Sequence, residues 1–300
     1  MTESGLVIVD KPGGMTSHDV VGRLRRVFGT RRVGHAGTLD PMATGVLVLG
    51  VERGTKLLGH LALTSKAYLA TIRLGVTTST DDADGEIVAT ADAAEVEEAA
   101  VGAGMQRLTG DIEQVPSAVS AIKIDGVRAY ARVRAGEEVE LAARPVSVTA
   151  FDLHELRRAP EPDPGVTDLD VSVECSTGTY VRALARDLGA ALGVGGHLVA
   201  LRRTRVGPFG LDQARTLDEL ELAQDPTLSL SLDDAVAAAM PRRDVDATEA
   251  EALSHGRRLP LAGLPGVYGA FDPDGRVIAL LIERDGEARP VVVLAPAGGP

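Results

Sequence analysis

The sequence predicts an α+β chain: a domain built on a mixed, mostly antiparallel sheet that carries an inserted segment, followed by a small β-rich C-terminal domain. Three observations predict it. Residues 66–74 and 166–175 alternate apolar and polar side chains in the manner of antiparallel strands with one wet face. Residues 76–145, which lie between those two runs, change in texture and read as an insertion. From about residue 240 the chain turns to short apolar runs separated by Asp-Gly turns, the pattern of a β meander. The expected domains are therefore 1–238 and 239–300.

In chain order, Leu6-Val7-Ile8-Val9 reads as a strand. Ser17 is placed to cap a helix whose Val20, Val21, Leu24, Val27 and Phe28 share one apolar stripe, and Gly29 ends it. Gly34 to Gly45 is a glycine-punctuated loop, and Val46-Leu47-Val48-Leu49 after it reads as a fully buried strand. The insertion holds an acidic Ala/Glu helix after Asp92 and then a segment from Pro116 to Glu138. Ala159 to Gly165, with three prolines, is a turn or loop. Cys175 alternates with Leu169, Val171 and Val173, so it reads as a small buried hydrophobe. After Tyr180 a helix turns Val181, Leu184, Ala185 and Leu188 inward, with Arg182 and Arg186 one turn apart on another face. A short helix near Ala247 to Gly256 precedes apolar runs at 267–271, 277–282 and 291–294, joined by Asp272-Pro273-Asp274-Gly275 and Asp285-Gly286.

Composition limits the function classes. A hydrophobic share of 44% with 25% charged residues is that of a folded globular chain and not of a disordered one. No apolar run is long enough to span a bilayer and the start lacks a basic n-region with an h-region, so a cytoplasmic protein without membrane attachment is expected. A net charge of −12 argues against a protein that coats nucleic acid. The charge is uneven, however. Residues 1–60 carry eight cationic side chains against five carboxylates, and Arg182, Arg186, Arg202, Arg203 and Arg205 face only Asp187 between 175 and 209. Two basic regions on an acidic chain allow local RNA binding.

Gly34-His35-Ala36-Gly37-Thr38-Leu39-Asp40-Pro41-Met42-Ala43-Thr44-Gly45 puts one carboxylate in the punctuated loop, and Pro41 biases Asp40 toward extended backbone, which presents its side chain at the loop's end. This loop resembles the catalytic motif of the TruB family of bacterial tRNA pseudouridine synthases, which act on the T loop. Other segments are similar to that family in the same order: Lys11 to Ser17, Ser65-Lys66-Ala67-Tyr68, Thr80 to Gly85, Gln114 to Ser117 with Ala121-Ile122-Lys123, Cys175 to Arg182, and Gly195 to Leu198 with Leu201-Arg202-Arg203. The ordered series over residues 6–206 is far more specific than any one member.

The resemblance implies isomerisation of uridine 55 to pseudouridine by base flipping, with Asp40 as nucleophile, Arg182 as its ion-pair partner and Tyr68 stacked under the uracil and moving a proton. It implies that Tyr180 and Leu201 line the pocket, Lys11 supports the catalytic loop, His35 fills the space left by the flipped base, and Asp82 borders the contact. It further implies a PUA-like RNA-binding C-terminal domain, the tRNA T-arm as partner, and a monomer. Attack by Asp40 on C6 of the base and on C1′ of the ribose are both compatible with the residues.

The chemistry calls for no metal or cofactor, and the residues agree: no His/Cys cluster has zinc spacing, no phosphate-binding glycine loop occurs, and Asp82-Ala83-Asp84-Gly85 has Ala91 where an EF-hand would close with Glu. Three other readings compete. A pseudouridine synthase for another RNA is disfavoured by the match of the 76–145 insertion, and a purely RNA-binding protein would not require Asp40, Tyr68 and Arg182 together. A nucleotide-dependent enzyme using the glycines at 193–196 lacks a nucleotide-binding motif there.

Overall fold

The computed structural model describes residues 3–117, 123–124, 127–128, 141–158 and 165–298. Most of the expected 116–138 segment and the 159–164 loop therefore lie outside the described residues. The chain divides into two compact units, one of residues 1–41, 45–64 and 206–300 and the other of residues 42–44 and 65–205.

In the first unit, Gly5–Lys11 pairs antiparallel with Thr44–Val51, Val9 facing Leu47 and Lys11 facing Gly45. Both strands are apolar on both faces and almost wholly buried, as continuous aliphatic runs require. A strand that the sequence did not announce, Val33–Ala36, pairs antiparallel with Thr44–Val51. The front of the expected glycine loop is thus one arm of a hairpin, and His35 sits on it opposite Leu49. Four residues, one a glycine, are too few for alternation to show.

The helix Ser17–Val27 starts one residue earlier than expected in its capping. Thr16 is the N-cap: its hydroxyl accepts from the Asp19 amide at 3.1 Å, and the Asp19 carboxylate accepts from the Thr16 amide at 2.9 Å. A capping box needs an acidic or amide side chain three residues on, which Thr16 has in Asp19 and Ser17 lacks in Val20. Ser17 is consequently turned inward, 2% exposed.

The C-terminal meander forms a four-stranded sheet in the order Arg242–Asp244, Val267–Phe271, Val277–Arg284, Glu287–Val293, the first pair parallel and the others antiparallel. Asp285 and Gly286 both have positive φ, 52° and 81°, the geometry of a two-residue hairpin turn that matches strand twist. The Asp272 carboxylate closes the other turn by accepting from the amides of Asp274 and Arg276. One face of this sheet packs into the same core as the N-terminal strands: Leu6, Ile8, Val46 and Val48 join Phe271, Val277, Leu280 and Leu294 in one buried cluster. A chain cut near residue 239 would expose Leu6, Ile8, Val46 and Val48 on that side, each apolar side chain costing about 1.5 to 3 kcal/mol when stripped of its burial. We expect it to lose cooperative thermal unfolding, and a sharp transition at the parental temperature would contradict the shared core.

In the second unit the strand order is Gly196–Val206, Lys66–Leu74, Thr167–Cys175, Arg144–Arg158, Gly110–Gln114. Lys66–Leu74 and Thr167–Cys175 pair antiparallel along their full length, Tyr68 facing Val173 and Lys66 facing Cys175. Lys66, Tyr68, Ala70, Ile72 and Leu74 fill the dry face with Leu169, Val171, Val173 and Cys175. On the wet face Arg73 and Asp168 form a two-point ion pair across the strands at 2.8 and 2.9 Å. Among the described residues no helix is long and apolar enough to cross a membrane, and no group of three or more His, Cys, Asp or Glu is placed to hold a metal ion.

Candidate active site

In the first unit the residues around Asp40 are fixed from both sides. Asp40 is half-buried in the loop between the hairpin arms Val33–Ala36 and Thr44–Val51. Gly37 and Gly45, at φ +84° and +97°, take the left-handed backbone that lets the loop leave one arm and rejoin the other. On the N-terminal side of Asp40, Ser17 Oγ accepts from the Leu39 amide at 2.8 Å and donates to the Leu39 carbonyl at 3.1 Å. On its C-terminal side, the Pro41 carbonyl accepts from the Gly14 amide at 2.8 Å and from Lys11 Nζ at 3.3 Å. Lys11 is fully buried and its ammonium also donates to the carbonyls of Pro12 and Met15 at 2.8 and 2.7 Å. A buried ammonium needs its donors occupied, and here they gather the turn 12–15 and the 37–43 loop around one cation.

Sequence reasoning passed over Ser17, which it treated as a helix cap. The signal was the Thr16/Asp19 spacing, which relieves Ser17 of that duty.

In this unit the exposed Arg25, Arg26, Arg31 and Arg32 lie together on the helix Ser17–Val27 and the chain just after it. The second cluster expected from the sequence is different in kind. Arg203 and Arg182 are buried, at 1% and 4% exposure, Arg186 is paired with Asp81 and Asp187, and Arg205 is paired with Glu174. Carboxylates outside the segment take up the charges of Arg182, Arg186 and Arg205, so three of its five arginines are ion-paired.

In the second unit, Arg182 opens the helix Val181–Ala191. The inward stripe of Val181, Leu184, Ala185 and Leu188 is as expected, yet Arg182 is buried as well. Its Nη1 donates to Asp82 Oδ2 and to the Thr80 carbonyl, both at 3.0 Å, with the side chains of the pair 5% and 6% exposed. Asp82 is further held by the Thr80 hydroxyl and by the Asp84 amide, so both of its oxygens accept hydrogen bonds. One turn along, Arg186 Nη1 donates to Asp81 Oδ2 at 3.1 Å, and Asp81 takes positive φ, 59°, to present it. Two consecutive carboxylates of one loop thus engage two arginines one helical turn apart.

Tyr68, at 8% exposure, and Leu201, also 8%, lie on neighbouring strands of the sheet, and Tyr180 is the N-cap of the arginine helix. Two residues from Tyr68 on the same face, Lys66 is buried, and desolvation reinforced by the Arg203 charge pulls its ammonium down to about 8. Cys175 opposite is buried and its thiol is pushed up by desolvation, which makes it unreactive.

The family described as TruB family pseudouridylate synthase (N terminal domain) matches residues 25–181. Residues 182–237 match a tRNA pseudouridylate synthase B C-terminal domain, and residues 240–295 match a tRNA pseudouridine synthase II C-terminal segment. The tRNA pseudouridine synthase B of Nocardia farcinica is 65% identical over 294 residues, covering 98% of this chain and 94% of that protein. The tRNA pseudouridine synthase B of Rhodococcus jostii is 62% identical, covering 98% of this chain and 95% of that one. Among solved structures, an archaeal box H/ACA sRNP Nop10-Cbf5 complex contains a chain that matches 99% of this one and 88% of its own length, with a TM-score of 0.72 at 25% identity.

Proposed function

As a member of the TruB family of pseudouridylate synthases, the chain makes pseudouridine at position 55 of tRNA, and we propose that Asp40 is the nucleophile of that isomerisation. The observation that carries the assignment is the clamp on Leu39 and Pro41, which fixes the backbone on both sides of Asp40 and so holds its half-buried side chain in one place. In the net reaction the N1–C1′ bond of the uridine breaks and a C1′–C5 bond forms. The hydrogen of C5 leaves and N1 takes up a proton. Nothing is oxidised, so a carboxylate, an acid/base and a closed pocket suffice.

The other roles follow the resemblance. Arg182 keeps the nucleophile ionised, a task that suits a guanidinium already desolvated and held in one orientation by Asp82 and Thr80. Tyr68 stacks on the uracil and moves a proton, and Tyr180 and Leu201 line the pocket that retains the detached base. Lys11 holds the catalytic loop, His35 takes the place of the flipped uridine, and Asp82 borders the RNA while orienting Arg182. Base flipping costs a few kcal/mol, least where the base is already outside regular pairing, as in a T loop. The T-arm is the element recognised, through its folded shape more than its sequence. The enzyme works as a cytoplasmic monomer without metal or cofactor. Residues 1–238 form its catalytic part and 239–300 its PUA-like RNA-binding part, a division supported by the break between family matches at 237 and 240 although the two parts share one core.

Mapping pseudouridine in an unmodified tRNA transcript tests this reading. Conversion is expected at uridine 55 and at no other uridine at a comparable rate; a folded chain that leaves uridine 55 unchanged contradicts it.

A further inference from the structure

Gln114 closes the strand Gly110–Gln114, is 2% exposed, and has no part in the roles above. Its carboxamide is aimed at a backbone. Oε1 accepts from the Tyr180 amide at 2.8 Å and Nε2 donates to the Tyr180 carbonyl at 3.1 Å. One side chain therefore satisfies both polar backbone groups of one residue, as a neighbouring strand would.

The residue held in this way is the N-cap of the helix Val181–Ala191, whose second residue is Arg182. Tyr180 offers no side-chain cap of its own, and its carbonyl also accepts the first helical bond, from the Leu184 amide at 3.2 Å. A second tie joins the same two elements one turn later, where Arg186 Nη2 donates to the Val115 carbonyl at 2.7 Å. The start of this helix is thus bound to the end of the strand by Gln114 and Arg186 and to the 80–82 loop by Arg182 and Arg186.

We propose that Gln114 is a positioning residue for the isomerisation: its two-point grip on the Tyr180 backbone sets the phase of the helix N-terminus, and through it the direction of the Tyr180 ring and the Arg182 guanidinium. The proposal rests on the roles given above to Tyr180 and Arg182. A glutamine is required because the grip needs one acceptor and one donor on a planar group. A methionine of similar length has neither. An ionised glutamate keeps the acceptor but sets a negative oxygen against the Tyr180 carbonyl, whereas a protonated glutamic acid restores the donor.

That difference supplies a test which a merely structural role does not move. Single-turnover rates at saturating tRNA, tRNA affinity and melting temperature are measured for the parent, Gln114→Met and Gln114→Glu between pH 5.5 and 8.5. Gln114→Met is expected to lose tenfold or more in rate at all pH values, with tRNA affinity within about threefold of the parent. Gln114→Glu is expected to be slow at pH 8.5 and to approach the parental rate as pH falls and the carboxyl takes its proton. A folded Gln114→Met within twofold of the parental rate would overturn the proposal. So would a Gln114→Glu whose rate relative to the parent does not change with pH, a criterion that holds even if Gln114→Met fails to fold. An inactive parent would overturn the function itself, and the positioning role with it.

Discussion

Asp40→Asn is expected to leave a folded, RNA-binding chain that forms no measurable pseudouridine. Amide and carboxylate are nearly isosteric, and the backbones of Leu39 and Pro41 remain tied to Ser17, Gly14 and Lys11. The loop should therefore survive the change. The amide cannot attack carbon, so the rate should fall by roughly 10³ or more, a barrier increase of about 4 kcal/mol at 1.4 kcal/mol per decade. Affinity for tRNA should stay within about threefold of the parent. Turnover above a few per cent of the parental value would remove Asp40 from the nucleophile's role.

Arg182→Ala should be the most damaging single change in the second unit. The side chain is 5% exposed against an Asp82 that is 6% exposed, so removing it strands a buried carboxylate, with an expected cost of about 3 to 5 kcal/mol. Activity should vanish with it, because the same guanidinium is assigned to the nucleophile. The two effects can be separated. Adding Asp82→Asn removes the stranded charge and should return about half or more of the lost stability without any return of activity. Arg182→Lys keeps the charge but loses the planar guanidinium assigned to the nucleophile, and should be folded yet nearly inactive. Chemical denaturation of the three variants, read beside their single-turnover rates, checks both claims; an Arg182→Ala chain of parental stability would place the side chain outside the buried pair.

What could be read in the chain follows from how local each signal is. The alternation of residues 66–74 and 166–175 is sustained along each whole run, and the structure pairs those runs side by side as the strands Lys66–Leu74 and Thr167–Cys175. The C-terminal hairpins were marked by Asp-Gly turns that demand positive φ, and the strand Val267–Phe271 coincides with the apolar run. Its parallel partner Arg242–Asp244 carried no signal, because it is short, charged and at a sheet edge. Nor did sequence foretell that the C-terminal sheet shares a core with Leu6 and Ile8, since partners in a core are chosen by topology and not by period.

The candidate site divides in the same way. The loop around Asp40 was legible because Gly, Pro and Asp constrain the backbone where they stand. The partners that fix this loop and the arginine helix were not. Ser17 reaches Leu39 across 22 positions, Gln114 reaches Tyr180 across 66, and Asp82 meets Arg182 across 100. Each involves a polar side chain whose burial no local pattern reveals. Arg182 and Arg186 looked like part of a basic face for the same reason, their partners Asp82 and Asp81 being remote in sequence.

The central claim, that this chain isomerises a T-loop uridine with Asp40 as nucleophile, is tested most directly by tritium release from an unmodified T-arm stem-loop labelled at C5 of uridine. Forming the C1′–C5 bond expels that hydrogen to water, so release counts isomerisation events whichever carbon Asp40 attacks. The parent chain is expected to release one tritium per uridine 55, and folded Asp40→Asn none. Absence of release by the folded parent, or equal release by Asp40→Asn, would contradict it.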